Sequence, residues 1–286
     1  MTSEVGPGGG LPHPGTGECF DSPVPAGSGW PGDPARGDET AARTVTDIDA
    51  LSRATDLPGL AAHASVCRAC PRLVAWREEV AVGKRRAYRD QPYWGRPVPS
   101  LGTDRPRVLV VGLAPAAHGG NRTGRMFTGD DSGDWIIGGL HRAGLASQAE
   151  SVHAADGLTL PLTRIVAPVR CAPPDNAPTP AERDTCAHWL DAELRLVERD
   201  VRVVVALGAF AWAAVLGATR RAGRPVPRPQ PRFGHGAEVA LPLGGPAPAT
   251  LLGSYHVSRQ NTATGRLTRP MLDAVLTRAA TLATPP

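Results

Sequence analysis

Residues 108–130 read Val108-Leu-Val-Val-Gly112-Leu-Ala-Pro-Ala-Ala-His-Gly-Gly-Asn-Arg-Thr-Gly-Arg-Met-Phe-Thr-Gly-Asp130. The short apolar run that opens this stretch, rich in valine and closed by glycine, predicts a buried strand of a parallel sheet. The connection that follows would leave the carboxyl end of that strand, where ligands bind in open α/β sheets. Its five glycines allow the backbone to approach a flat or charged ligand closely. The alternative is a turn that binds nothing.

Polar side chains are concentrated in this connection and in two later ones. A strand predicted at 162–167 runs into one of these loops, and a strand predicted at 249–253 runs into the other. Since strands alternate with helices along the chain, we expect an α/β fold with a largely parallel sheet. The carboxyl ends of parallel strands meet at one edge, so side chains distant in sequence can converge there. The groups expected at this edge are Phe127, Asp130, Asn176, His256, Ser258 and Asn261.

Composition limits the class of protein. The chain has 286 residues, enough for one large domain with a stable core, and a net charge of +4 that suits a partner with phosphates. No apolar run approaches the length of about 18 residues that a membrane span needs, and the amino terminus lacks a secretion signal. We therefore expect a cytoplasmic protein without membrane contact. Residues 1–50, rich in glycine and proline, predict a disordered tail, and residues 51–286 a single folded domain.

Four of the five cysteines form two widely separated pairs. Cys67 and Cys70 lie at the start of a predicted helix, and Cys171 and Cys186 follow about a hundred residues later. Four thiolates suit a tetrahedral zinc ion or an iron–sulfur cluster, and spacing alone does not decide between them. The wide separation argues against a self-contained zinc ribbon and predicts a centre that joins the amino-terminal helix to the main domain. Four free thiols are the alternative.

Together these motifs resemble the uracil-DNA glycosylase superfamily, most closely its family 5, the iron–sulfur type B enzymes. The resemblance covers residues 57–282. It implies a three-layer α/β/α fold with a central, mostly parallel four-stranded sheet. It also implies a 4Fe-4S cluster held by the four paired cysteines. The segments that carry it are residues 112–130, Cys171-Ala-Pro-Pro-Asp-Asn176, His256-Val-Ser-Arg-Gln-Asn-Thr-Ala-Thr-Gly-Arg-Leu-Thr268, and the cysteines in their order and spacing.

The resemblance implies a monomeric hydrolase of base excision repair. Such an enzyme cleaves the N-glycosidic bond of uracil and of other deaminated or damaged bases, hypoxanthine for example, in double-stranded DNA, and leaves an abasic site. The base must leave the stack to reach its pocket. There Phe127 would stack on it, and Asn176 and His256 would stabilise the negative charge of the departing base. Asp130 would orient water or balance the positive charge on the sugar.

The remaining residues implied by the resemblance fall into two groups. One group contacts the damaged base, and the other contacts the rest of the DNA. The base-contacting group adds Gly112, Ala114 and Ser258, and the DNA-contacting group is Arg122, Arg125, Arg259 and Asn261.

Four positions depart from the family's pattern. Val257 stands where the superfamily usually has proline, and Ala167 stands where a sister family has an asparagine that reads uracil. The second departure favours a wider substrate range. Ala114 and Ala116 occupy positions where other families place a catalytic aspartate or asparagine. Catalysis would therefore depend on Asp130, or on stabilisation of the leaving base alone.

Two alternatives belong to other classes of function. A non-catalytic iron–sulfur module that recognises abasic or single-stranded DNA would share the basic loops and the ligated thiols. A nucleotide hydrolase is disfavoured, because the sequence has no Gly-x-x-x-x-Gly-Lys-Ser/Thr phosphate loop.

Overall fold

The structure, a computed structural model, describes residues 10–54, 56–245 and 247–284. In these residues the strands are β1 (Leu11–Pro12), β2 (Cys19–Phe20), β3 (Leu101–Gly102), β4 (Val108–Val111), β5 (Thr163–Val166), β6 (Val203–Leu207), β7 (Glu238–Leu241) and β8 (Ala249–Ser254). The α-helices are α1 (Val45–Leu51), α2 (Leu57–Ser65), α3 (Pro71–Gly83), α4 (Gly120–Thr123), α5 (Asp131–Arg142), α6 (Pro180–Val197), α7 (Gly208–Arg221), α8 (Arg259–Ala263) and α9 (Arg269–Ala283). None of the helices in the described ranges is both long enough and apolar enough to cross a membrane.

The main sheet has six strands in the order β3-β5-β4-β6-β8-β7. Its four central strands are parallel, with Val111 paired to both Val166 and Ala206, and Leu207 paired to Ser254. The predicted four-stranded parallel core is therefore confirmed. Antiparallel strands β3 and β7 extend it at the edges. Strand β3 was not predicted, because two residues are too few to give a periodic pattern.

The sheet lies between two layers of helices. All four residues of β4 are buried, which explains why this strand has no alternation of apolar and polar residues. Leu109 and Val111 face a core cluster that contains Trp189 of α6 and Trp212 of α7. Val108 and Val110 face a second cluster, to which α5 and α9 contribute apolar side chains. This arrangement is the predicted three-layer α/β/α fold.

The amino-terminal segment packs onto the domain from Gly10 onwards. Phe20 and Trp30 are buried in the second core cluster, and the Ser22 hydroxyl accepts a hydrogen bond from the backbone of Tyr93. Trp30 also lies against Gly124, where an added Cβ would stand 2.9 Å from the indole nitrogen. The prediction of a disordered tail is therefore wrong for residues 10–50. The segment is held by single buried aromatic residues, and these produce no periodic apolar pattern in the sequence. Residues 1–9 lie outside the described part of the chain.

A buried ion-pair network fixes the loop after β5. Glu193 of α6 accepts hydrogen bonds from Arg164 Nε at 2.5 Å and from the Arg170 guanidinium, and all three side chains are almost fully buried. Burial by itself would raise the pKa of Glu193, but the charges of Arg170 and Arg164 outweigh this effect and lower the pKa to about 2. Because Arg170 directly precedes Cys171, the network also positions that cysteine.

We expect Glu193→Gln to lower the free energy of unfolding by about 3–5 kcal/mol, because it leaves the buried Arg170 guanidinium without a carboxylate and Arg164 with only the exposed Asp104. Since the folded-state pKa lies below the unfolded value of 4.5, Glu193 stabilises the fold fully above that pH. Its contribution should be lost as the pH falls from 4.5 towards 2. Urea denaturation followed by circular dichroism measures both effects.

Asp273→Asn is the matched control, because Asp273 pairs with Arg142 in a half-exposed position. It should cost less than about 1 kcal/mol. A loss in Glu193→Gln no larger than that of the control would contradict the prediction.

Candidate active site

Phe127 lies over the carboxyl end of β4. A Cβ added to Gly112 would stand 3.2 Å from Cζ of Phe127, so the aromatic ring closely covers this glycine. Phe127 has a φ of 48°, in the left-handed region that residues with a side chain rarely adopt. Helix α5 holds this conformation, because Gly133 packs against the Phe127 carbonyl with no room for a Cβ. Such backbone strain is concentrated at functional sites.

Asp130 lies between α5 and the glycine-rich loop. Its Oδ1 accepts a hydrogen bond from the backbone of Gly133 at 2.9 Å and caps the helix. Its Oδ2 lies over Gly119, where any Cβ would overlap with it. Burial raises the pKa of Asp130 above its usual value. The hydrogen bond from Gly133 lowers the pKa in part, and the negative charge of the nearby Asp134 raises it further. One carboxylate oxygen is thus structural, and the other remains to accept a proton or orient water.

His256 lies over the carboxyl end of β6. A Cβ added to Gly208 would stand 3.3 Å from that of His256, and Gly208 has a φ of 93°. Burial lowers the pKa of His256 to about 4, so its imidazole is neutral at physiological pH. Two contacts hold the loop after His256 in place. Asn261 Nδ2 donates a hydrogen bond to the His256 carbonyl at 2.9 Å, and the Val257 side chain is buried in the second core cluster. Val257 therefore anchors the loop by packing.

Strands β4 and β6 are hydrogen-bonded neighbours, and neighbouring strands lie about 4.8 Å apart. Gly112 and Gly208 therefore end adjacent strands with little side-chain volume between them. Phe127 covers one glycine and His256 the other, and Asp130 is tied to Phe127 through Gly133. These three predicted residues thus lie at one edge of the sheet.

Asn176 lies in an exposed 3-10 turn, Pro174–Asn176, on the loop after β5. Its φ of 55° is also in the left-handed region. The end of this loop is held by Arg72 of α3, whose guanidinium donates to the Ala177 carbonyl at 3.2 Å. The role of Asn176 stays a prediction, because no described contact joins its side chain to Phe127 or His256.

The structure corrects the roles predicted for Arg122 and Arg125. Arg122 is 5% exposed, and its guanidinium donates to the carbonyls of His118 and Gly129 and to Gln91. Arg125 is 8% exposed and its NH2 group contacts the side chains of Ser151 and Asp156. Both side chains are buried and engaged with the protein, so they shape the loop and do not reach phosphate.

The other predicted contacts stay predictions with defined positions. Arg259 is exposed at the start of α8, and Ser258 is the residue before that helix. Ala114 is half-buried in the loop after β4. Ala167 is 3% exposed and offers no polar group at the end of β5.

All four cysteines predicted as ligands line one small cavity between α3, α6 and the loop after β5. Two donors face their sulfurs: Arg77 NH1 lies 2.9 Å from Cys171 Sγ, and the Arg170 backbone N–H lies 3.3 Å from Cys186 Sγ. Burial raises the pKa of Cys70 to about 12, so the thiol ionises only beside a compensating positive centre. In the described ranges, no three His, Cys, Asp or Glu side chains have the spacing of a single metal-ion site.

Sequence reasoning missed Arg77 and Gly208. Arg77 is 1% exposed, and its carbonyl accepts a hydrogen bond from Asn121 of the glycine-rich loop, so α3 joins the cysteine cavity to that loop. The available signal was an arginine at an apolar position of a helix, since Leu73, Val74 and Ala81 are the other buried residues of α3. For Gly208, the only signal in the sequence was its position between a predicted strand and a predicted helix.

Comparisons with known proteins agree on one family. A sequence model described as the uracil DNA glycosylase superfamily matches residues 99–280. A type-5 uracil-DNA glycosylase of Mycobacterium tuberculosis is 58% identical over 95% of this chain and 98% of that protein. Type-5 uracil-DNA glycosylases of Thermus thermophilus and Pyrobaculum aerophilum are 53% and 47% identical, over 77% and 75% of this chain and 94% and 88% of those proteins.

Proposed function

The chain belongs to the uracil-DNA glycosylase superfamily, in its family 5, and on this premise we propose that it is a DNA repair hydrolase acting on uracil. It would cleave the N-glycosidic bond between uracil and deoxyribose in DNA and leave an abasic site. The observation that carries the proposal is the meeting of Phe127, Asp130 and His256 at one edge of the sheet.

Each of these side chains has a matching task. The ring of Phe127, held in a strained conformation, offers a face on which an extruded base can stack. The neutral imidazole of His256 can donate a hydrogen bond to the base oxygen on which negative charge develops. The free oxygen of Asp130 can accept a proton from water or lie beside the positively charged sugar.

We extend the proposal to hypoxanthine and other deaminated bases. The buried methyl group of Ala167 offers no hydrogen bond that would select uracil at the end of β5. A pocket that relies on ring stacking and on donors for the departing charge accepts several flat bases, because every base has a π-face.

The assay that tests the proposal incubates the protein with a duplex containing one uracil and then heats it in alkali. We expect strand scission at the uracil and at hypoxanthine, and none in the same duplex with thymine at that position. If uracil, hypoxanthine and xanthine all remain uncut, the non-catalytic DNA-binding module is the better description.

We also propose that Cys67, Cys70, Cys171 and Cys186 hold a 4Fe-4S cluster. Their shared cavity and the two N–H donors that face Cys171 and Cys186 support this proposal, because such donors compensate the charge of cluster thiolates. The cluster would supply a covalent link between α3, α6 and the loop after β5. The protein residues alone carry the chemistry at the glycosidic bond.

Protein purified without air should be brown, with a broad absorbance near 400 nm that is typical of a cysteine-ligated iron–sulfur cluster. Cys186→Ser should lose this absorbance and lower the melting temperature by roughly 10 °C or more, because loss of a structural metal centre is among the largest single-site effects. Cys19→Ser is the control, since Cys19 is exposed on β2 and does not line the cavity. Colourless protein with stoichiometric zinc would refute the iron assignment.

A further inference from the structure

Three aromatic rings form a group beside the candidate active site, which we call the aromatic platform: Phe233, His235 and Tyr255. The rings of His235 and Tyr255 stack with centroids 5.1 Å apart and an interplanar angle of 28°. Phe233 lies 6.2 Å from Tyr255. All three are half-buried, and Tyr255 directly precedes His256. The platform is therefore continuous with the loop that carries the catalytic histidine.

The platform is held in place by hydrogen bonds from rigid elements. Trp212 of α7 donates from Nε1 to the Pro231 carbonyl at 3.0 Å, and the Tyr255 backbone N–H donates to His235 Nδ1 at 3.1 Å. The second bond requires a neutral imidazole, and burial indeed lowers the pKa of His235. A ligand that stacks here would meet rings that are already ordered, so binding costs little conformational entropy.

Exposed arginines lie against the platform or on the segment that leads to it. The Arg266 guanidinium lies 4.8 Å from the ring centre of Tyr255, and Arg228 and Arg232 are exposed on the segment that leads to Phe233. Arg221 and Arg224, earlier in the same region, pair with Asp191 and Glu198. Among the described residues no carboxylate forms such a pair with Arg228, Arg232 or Arg266, so their charge is available to a ligand.

We propose that the aromatic platform, together with Arg228, Arg232 and Arg266, binds a single-stranded DNA segment next to the extruded base. The proposal rests on the proposed function for the position of that base at His256. Aromatic faces that accept unstacked bases, combined with cationic groups that follow the backbone, are the recurrent chemistry of single-strand binding. The phosphates of duplex DNA could also contact these arginines, but its bases are stacked on one another and their faces cannot reach the aromatic platform.

The test measures binding without catalysis. The probe is a fluorescein-labelled strand of thymidines, which contains no base to excise, and its anisotropy is titrated at several salt concentrations. We expect Phe233→Leu to weaken binding about tenfold, the effect of losing one stacked base. The double variant Arg228→Ser/Arg232→Ser should reduce the magnitude of the slope of log K against log salt by about 1.4, because two phosphate contacts are lost.

The matched control is Arg53→Ser/Arg199→Ser, which removes two exposed charges beside the carboxyl end of α6. It should leave the salt slope unchanged. Thermal melting of every variant shows that it is folded, and if Phe233→Leu melts early the arginine pair decides alone. An unchanged slope in the Arg228→Ser/Arg232→Ser protein overturns the proposal, and so does a Phe233→Leu protein that loses as much affinity for a duplex of the same sequence as for the single strand.

The outcome also separates this proposal from the function proposed above. A protein that excises uracil but binds the thymidine strand equally well in all variants refutes only the single-strand site. A protein that binds the strand through the platform but excises no base refutes only the glycosylase activity.

Discussion

His256→Ala is expected to lower kcat/KM for uracil excision by about 10²–10³-fold, the effect of removing one preorganised donor to a developing anion. The geometry supports a large effect, because Gly208 and Asn261 fix the position of the histidine and burial keeps the ring neutral. A neutral imidazole stabilises the departing base by donating a hydrogen bond.

Single-turnover excision from a uracil duplex measures this loss, and His188→Ala is the matched control. His188 lies on α6, paired with Asp49 in a half-exposed position, and its loss should leave the rate within about twofold. For the native enzyme we expect no inflection of kcat/KM near pH 6.5, because His256 gains its proton only near pH 4. An inflection at pH 6.5 that disappears in His256→Ala would contradict this prediction, because the protonated imidazole would then be the form that stabilises the departing base.

Asp130→Asn is expected to reduce the excision rate by about 10²–10⁴-fold while binding to an abasic duplex is retained. The asparagine oxygen can still accept the hydrogen bond from Gly133, so the cap of α5 and the conformation of Phe127 should survive. What is lost is the negative charge on the oxygen that lies over Gly119. Since burial raises the pKa of Asp130, native activity should decline on acidification at a pH above the ordinary aspartate value.

Asp134→Asn is the control for Asp130→Asn, because it changes the same residue type in the first turn of the same helix. It should leave excision within about threefold, since surface charges contribute little. Equal rates for Asp130→Asn and native protein would remove Asp130 from the catalytic group and leave leaving-group stabilisation as the main effect.

The sequence was sufficient to predict the parallel core and that Phe127, Asp130 and His256 lie at one edge of it. The four apolar residues Val108–Val111 predict a strand that is buried on both faces, as it is. An aromatic ring, a carboxylate and an imidazole at positions 127, 130 and 256 are side chains that can stack on a base, activate water and stabilise a leaving anion. The sequence could not show which charged groups already have partners. Arg125 was expected on DNA, but its partner Asp156 lies 31 residues away, and such pairing depends on tertiary structure.

Packing by single residues was equally hard to predict. Trp30 stands alone among glycines and prolines, so no periodic pattern marks it as part of the core. The same holds for Gly208, whose importance depends on how close His256 comes to it in space.

The contact between Trp30 and Gly124 limits where this protein can be shortened. Gly124 belongs to the connection that carries Phe127 and Asp130, and the Trp94 ring lies against the same glycine. A chain trimmed to begin at residue 51 would lose the buried Trp30 ring and leave a cavity beside Gly124, in the connection that carries Phe127 and Asp130. The melting temperature and the excision rate should then decline together, because residues 10–50 support the connection that carries Phe127 and Asp130.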